Sequence, residues 1–251
     1  MDFNIRKPLH LLALFLILIS FLIIIIFPLL SFVGLLPSTQ SIDYKNISDS
    51  VQAFSEFFIL LFQLALVILL MIVFPVVWYL LVNNLTVKQA FYRMRVTYEN
   101  IDKAFLWGIL TAVLIFVVFF VINVFIAVFF DVKSEDLSNV QDLEALFSPV
   151  SLFLLVATQP IAEELFFRGF LLEKIDSFAG KNIAIILTSV LFGIAHANYG
   201  RLYLLLLPII MGIFLGYAVF KTKNLLSAII AHVCFNVGTL ALAFLAKSLM
   251  M

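Results

Sequence analysis

Runs of about 20 apolar residues recur along the whole of this sequence, and they leave few folds open. A bilayer's hydrocarbon core is about 30 Å thick and a helix rises about 1.5 Å per residue, so such runs are the length of a crossing. The 251 residues are 65% hydrophobic and 12% charged, against about 25% charged in soluble domains. One soluble core cannot hide that surplus. The expected fold class is all-α: a polytopic transmembrane helical bundle of about seven spans, over 10–36, 56–82, 105–129, 149–172, 183–199, 203–221 and 225–246. One missed segment would make eight. The fifth span is the shortest, and its boundary near Asn198–Arg201 is the least marked.

Composition excludes several functions. A net charge of zero implies no nucleic-acid partner. The single cysteine, Cys234, rules out an intramolecular disulfide and a thiolate metal cluster. The run from Leu11 to Leu36 follows Arg6 and Lys7 but is too long for a signal h-region, and it has no A-x-A cleavage pattern. It is expected to remain as the first span. The polar connections 37–55, 83–104 and 130–147 are long enough for short interfacial helices. The stretch Val87–Phe105 mixes cations with aromatics as an interfacial amphipathic helix would.

Cation placement suggests an orientation. With the amino terminus inside, the cytoplasmic ends hold Arg6, Lys7, Lys88, Arg93, Arg95, Lys103, Arg168, Lys174, Lys181, Lys221 and Lys223. The other side holds Lys45, Lys133, Arg201 and Lys247, together with the acidic connection of Asp131, Glu135, Asp136, Asp142 and Glu144. That is the positive-inside bias. Seven spans then put the carboxyl terminus outside, and an even count would return it inside. The expected location is an integral, multi-pass protein of a bacterial plasma membrane.

Within this apolar chain the polar residues are concentrated in the carboxyl-terminal half. Glu163, Glu164 and Arg168 interrupt the segment Ser148–Leu172, where one buried carboxylate costs roughly 2.5–3.5 kcal/mol on insertion scales. Span five carries His196, followed by Asn198, and span seven carries His232 and Asn236. Spans one to three offer little beyond Gln63 and Asn123. Glu164 and Arg168, four apart, share a face and are expected to pair. Glu163 lies ~100° round the helix, on the face of Gln159 and without a local cation. His232 and Asn236 project together, and Pro160 frees a carbonyl that helps open a wet cavity. Counting ~1.5 Å per residue puts Glu163 ~9 Å and His232 ~10 Å from the cytoplasmic side, with His196 deeper. The expected cavity is therefore reached more easily from the cytoplasm.

Taken singly, each group has a plain structural explanation. An ion pair can brace helices, a transmembrane histidine can pack, and Asn236 can bridge neighbours. Gly212-x-x-x-Gly216 reads as a close helix contact only. Cys234 lies ~200° from His232, and Ser189 and Ser227 have no evident base beside them, so neither a thiol nor a serine nucleophile is favoured. The set together, in one half of a charge-poor chain, is harder to explain as packing.

Glu163-Glu164-x-x-x-Arg168, Phe192-x-x-x-His196 and His232-x-x-x-Asn236, in that order and each on a hydrophobic helix, resemble the CPBP family of intramembrane proteases. That family includes the CAAX prenyl endopeptidases of the Rce type and the bacterial Abi, or bacteriocin-processing, proteins. The resemblance covers roughly 148–246. It implies a division into three variable spans over 1–147 and a four-span catalytic core over 148–251.

It also implies an endopeptidase that cleaves a lipidated or hydrophobic membrane peptide. Glu163 would be the general base, assisted by His196, with His232 and Asn236 stabilising the oxyanion. Glu164, Arg168 and Phe192 would support the site. A cofactor stays open. Glu163, His196 and His232 match a zinc ligand set with an open position, but no His-Glu-x-x-His is present, and a glutamate-activated water without bound metal is slightly favoured. The competing readings are a non-catalytic scaffold or bacteriocin-immunity protein of the same fold, and a proton-coupled transporter. The transporter is disfavoured by the lack of inverted repeats. Oligomeric state is not encoded in these motifs.

Overall fold

The computed structural model describes residues 3–35, 49–130, 147–197 and 202–250. The expectations placed on Asn198, Arg201, Lys45, Lys133, Asp131, Glu135, Asp136, Asp142 and Glu144 lie outside the described residues. Within them the chain is helical and strand-free, with eight helices: α1 Pro8–Phe32, α2 Ala53–Leu81, α3 Val87–Arg93, α4 Ile101–Phe130, α5 Pro149–Ala179, α6 Lys181–Ala195, α7 Leu202–Thr222 and α8 Leu226–Met250. The all-α membrane bundle is thus observed.

Six of these helices are long and apolar enough to cross a membrane. The seventh apolar helix, α6, has 15 residues and spans only ~22 Å. It ends at Ala195, with His196 as its C-cap. By contrast α5 runs seven residues past the expected end at Leu172, because Glu173 and Lys174 mark the membrane surface rather than a helix end. What stops α5 is Gly180, whose φ of 82° suits a residue without Cβ.

Proline shapes the first two spans. Leu22–Ile26 and Leu69–Val73 are π-helical turns, each two residues before Pro28 or Pro75. A proline has no N–H for the carbonyl four residues back, so the helix widens locally. The freed polarity is used: the Ser20 hydroxyl donates to the Leu70 carbonyl at 2.8 Å, joining α1 to α2. A third π turn, Leu165–Leu171, follows the two glutamates in α5.

Parallel packing of α4 on α8 is tight enough that a Cβ on Gly108 would stand 2.8 Å from Ile230 Cβ. The antiparallel pair α6–α7 is equally close. A Cβ on Gly212 would lie 2.9 Å from Ser189 Cα and 2.9 Å from Arg168 Nη2, so this glycine provides room for the guanidinium. The close contact expected of Gly212 and Gly216 is observed. One hydrophobic core runs from Ile17 to Ala231 and includes residues of α1 and α2 as well as α5–α8.

The two ends of the bundle differ. At one end lie Arg93, Arg95, Lys174, Lys181 and Lys221, several seated on aromatic rings: Lys174 Nζ is 4.3 Å from the Tyr79 ring and Lys221 Nζ 5.6 Å from Trp107. Cations with Trp and Tyr are the dress of a membrane interface. The expected interfacial helix over 87–105 is shorter, only α3, closed by a Thr86–Gln89 capping box. The loop after it is pinned from α7–α8 by Asn224, whose amide donates to the carbonyls of Thr97 (2.9 Å) and Glu99 (2.8 Å).

Candidate active site

The site is built where α5, α6 and α8 meet. Glu163 and Glu164 leave α5 on adjacent faces, and both are buried. Glu164 pairs with Arg168 through Nη1 at 2.8 Å, as its spacing predicts. The pair is more than a brace, however. The same Oε1 lies 2.9 Å from His232 Nδ1. An ionised carboxylate only accepts, so His232 carries its proton on Nδ1 and presents Nε2. That nitrogen stands 3.7 Å from Glu163 Oε2. Glu164 therefore fixes the tautomer and rotamer of His232, and His232 links the two carboxylates.

Glu163 shares its face with Gln159, as expected, and the Gln159 amide donates to Glu163 Oε1 at 2.7 Å. From α2, Gln63 Nε2 donates to Gln159 Oε1 at 3.3 Å. Gln63 was visible in the sequence as an isolated polar residue, but no spacing rule joined it to the site. His196 caps α6. Its Nδ1 is 2.8 Å from the Phe192 carbonyl, an acceptor, which leaves Nε2 as the unprotonated nitrogen.

Phe192 organises the packing. Its ring lies 4.2 Å from the Arg168 guanidinium, and its centroid is 4.6 Å from His196 and 5.6 Å from His232. The cation–π contact compensates a guanidinium whose Nε and Nη2 have no hydrogen-bond partner among the described residues.

Glu163, His196, His232 and Asn236 all line one cavity of about 730 Å³, together with Gln159, Gln63 and Asn123. The sequence-derived set is thus brought to one place, while Cys234 packs against the core and does not line the cavity. Ser189 and Ser227 donate to backbone carbonyls, Ser189 Oγ to Ile185 O within its helix at 2.6 Å and Ser227 Oγ to Asn224 O in the turn before α8 at 2.9 Å.

The depth reading needs correction. The cavity extends past Leu152, Asn123, Thr239 and Leu242, away from the cation-rich end. Its reach is toward the opposite end of the bundle, because the residues that line it beyond Glu163 lie on the Pro149 side of α5 and on the carboxyl-terminal halves of α4 and α8.

The donors do not assemble a metal centre as placed. Among the described residues no group of three or more His, Cys, Asp or Glu side chains could hold a metal ion. His232 has one ring nitrogen on Glu164 and His196 one on a carbonyl, leaving one nitrogen each.

Residues 145–238 match the family model described as Type II CAAX prenyl endopeptidase Rce1-like. The matched stretch contains Glu163, Glu164, Arg168, Phe192, His196, His232 and Asn236 and excludes α1 to α4. No curated protein and no solved structure matches the chain. This region is similar to the family that the three motifs resemble. The similarity is confined to that stretch and is to CAAX-type endopeptidases, and the six long apolar helices fit an integral multi-pass membrane protein.

Proposed function

We propose that the protein is an endopeptidase that hydrolyses a peptide bond of a lipidated or hydrophobic membrane peptide, with Glu163 as general base. The observation that carries this reading is one buried carboxylate held by an amide on Oε1 and facing a histidine with Oε2, in a cavity large enough for a peptide segment. Glu163 Oε2 takes a proton from water as the water oxygen adds to the scissile carbonyl carbon. His196, through its unprotonated Nε2, orients that water. The tetrahedral oxyanion is met by the Asn236 amide and by His232 as the imidazolium, whose Nε2 proton is taken from solvent before the attack and kept through the cycle, with Glu164 balancing the imidazolium charge. The proton on Glu163 then passes to the leaving amine as the C–N bond breaks. In this reading α5–α8 and the rest of 148–251 form the catalytic core, carried by the three spans of 1–147.

The test uses the purified chain in proteoliposomes with an internally quenched farnesylated peptide and, separately, an unprenylated hydrophobic transmembrane peptide. Cleavage is expected to vanish in Glu163→Gln, fall strongly in His196→Ala and His232→Ala, persist in Cys234→Ala, and survive chelation. Full activity in Glu163→Gln would refute the mechanism. Loss on chelation, restored by zinc alone, would replace it with a metalloprotease. Absence of cleavage of either peptide by the wild type would favour the non-catalytic scaffold.

Orientation belongs to the same proposal: the cation-rich end is cytoplasmic, in a bacterial plasma membrane, and the cavity reaches the outer half. In a Cys234→Ala background, an impermeant maleimide added to intact cells should label Ser248→Cys and spare Lys223→Cys. The reverse pattern overturns the orientation.

A further inference from the structure

We infer that Gln63 and Gln159 form an amide relay that positions Glu163 for catalysis, so that α2, outside the family-matched stretch, supplies part of the working site. The inference rests on the protease reading above. A carboxylate has two oxygens, and the relay assigns them different tasks. Gln159 Nε2 holds Oε1 at 2.7 Å, which leaves Oε2 on the side of His232, 3.7 Å from Nε2.

The relay is directional. Ionised Glu163 can only accept, so Gln159 must present its NH₂ and not its carbonyl. A free glutamine amide can flip about its last torsion at little cost, and the flipped form would face oxygen to oxygen. Gln63 removes that freedom: its Nε2 donates to Gln159 Oε1 at 3.3 Å, which locks the NH₂ toward Glu163.

The three groups come from two helices and lie along the wall of one cavity, and in the order Gln63, Gln159, Glu163 every step runs donor to acceptor. Among the described residues, neither amide hydrogen-bonds a side chain outside this series. Gln63 and Gln159 are positioning residues, acting through Glu163 and not on the substrate.

Because the relay acts by hydrogen-bond polarity and not by bulk, shape-preserving substitutions test it. In proteoliposomes with the farnesylated quenched peptide, Gln159→Met should lower kcat about 30-fold with KM within about twofold of wild type. Gln63→Met should lower kcat about 5- to 10-fold, also at unchanged KM, since it loosens the amide without removing it. Gln63→Glu has the same shape but an acceptor in place of the donor, and should be no better than Gln63→Met. In the Gln159→Met background, Gln63→Met should have no further effect, because the two act in series.

Thermal unfolding in detergent is recorded for every variant, so that a kcat loss explained by unfolding is separated from one that is not. Additive losses, a loss confined to KM, or full activity in Gln63→Glu would each overturn the relay. Glu163→Gln separates the two claims. If it is inactive while the glutamine variants keep wild-type kcat, the relay fails and the protease reading stands. If it is active, the Glu163 mechanism on which the relay rests itself fails.

Discussion

Glu173 and Glu163 lie on the same helix and could hardly be treated more differently. At the cation-rich end, Glu173 receives Arg93 Nε at 2.8 Å, Lys174 Nζ at 3.0 Å and the Tyr79 hydroxyl at 3.0 Å. Its charge is saturated by partners near water. Glu163, ten residues earlier and deep in the bundle, has one neutral amide at 2.7 Å and one histidine nitrogen at 3.7 Å. A carboxylate with three donors has little left to offer a substrate. One held on a single oxygen, in a place where desolvation is expensive, keeps its other oxygen for the role proposed above.

The most severe way to test this contrast is to neutralise each acid. Glu163→Gln removes the proposed base and is expected to reduce turnover at least a thousandfold, as judged by peptide cleavage, with little change in unfolding temperature. Glu173→Gln should leave turnover within about threefold. If both variants lost activity alike, the contrast would be one of stability and not of chemistry.

A buried ion pair offers the next largest effect. Arg168 and Glu164 are both fully buried, and removing one member of such a pair typically costs about 3–5 kcal/mol because the other is left uncompensated. Arg168→Met should therefore unfold at markedly lower temperature in detergent. Adding Glu164→Gln to Arg168→Met should recover part of that loss, since no naked carboxylate remains. Turnover should not recover with it, because Glu164 also fixes the His232 tautomer through the 2.9 Å contact to Nδ1. Recovery of both would reduce Glu164 to a brace.

His232 carries the third test. His232→Gln keeps a polar side chain of similar reach but no titratable nitrogen, and turnover should drop about a hundredfold at nearly constant KM, in keeping with the usual weight of one acid–base or oxyanion group. A pure packing role would predict a change in melting temperature and an unchanged rate.

These contrasts also show which parts of the site could be read without coordinates. Helical periodicity is a local rule, so the pairing of Glu164 with Arg168 and the shared face of Gln159 and Glu163 followed from spacing alone. Hydropathy found the six long apolar helices for the same reason, but it counted the short α6 as a seventh span. It misjudged the end of α5, because it senses where lipid stops and not where hydrogen bonding stops. Glu173 and Lys174 read as a terminus, yet the helix continues to Ala179 and ends only at Gly180. Gln63 and the bond from His232 to Glu164 lay beyond any such rule, since both depend on helices far apart in sequence meeting in space. The widened turns before Pro28 and Pro75 follow from the missing proline N–H, but nothing local says whether the backbone responds by kinking or by a π turn.

The smallest effect belongs to the saturated end. Arg93 is more than half exposed where it meets Glu173, so solvent and salt screen the pair, and exposed pairs contribute roughly 0–1 kcal/mol. Arg93→Gln should lower stability by less than about 1 kcal/mol, with the difference shrinking as salt is raised and turnover untouched. Lys174, still 3.0 Å from Glu173 and over the Tyr79 ring, keeps the carboxylate paired in that variant. A salt-independent loss of several kcal/mol would mean that this end of α5 is as intolerant as the site. The opposition between a redundant carboxylate at the interface and an irreplaceable one in the bilayer would then have to be abandoned.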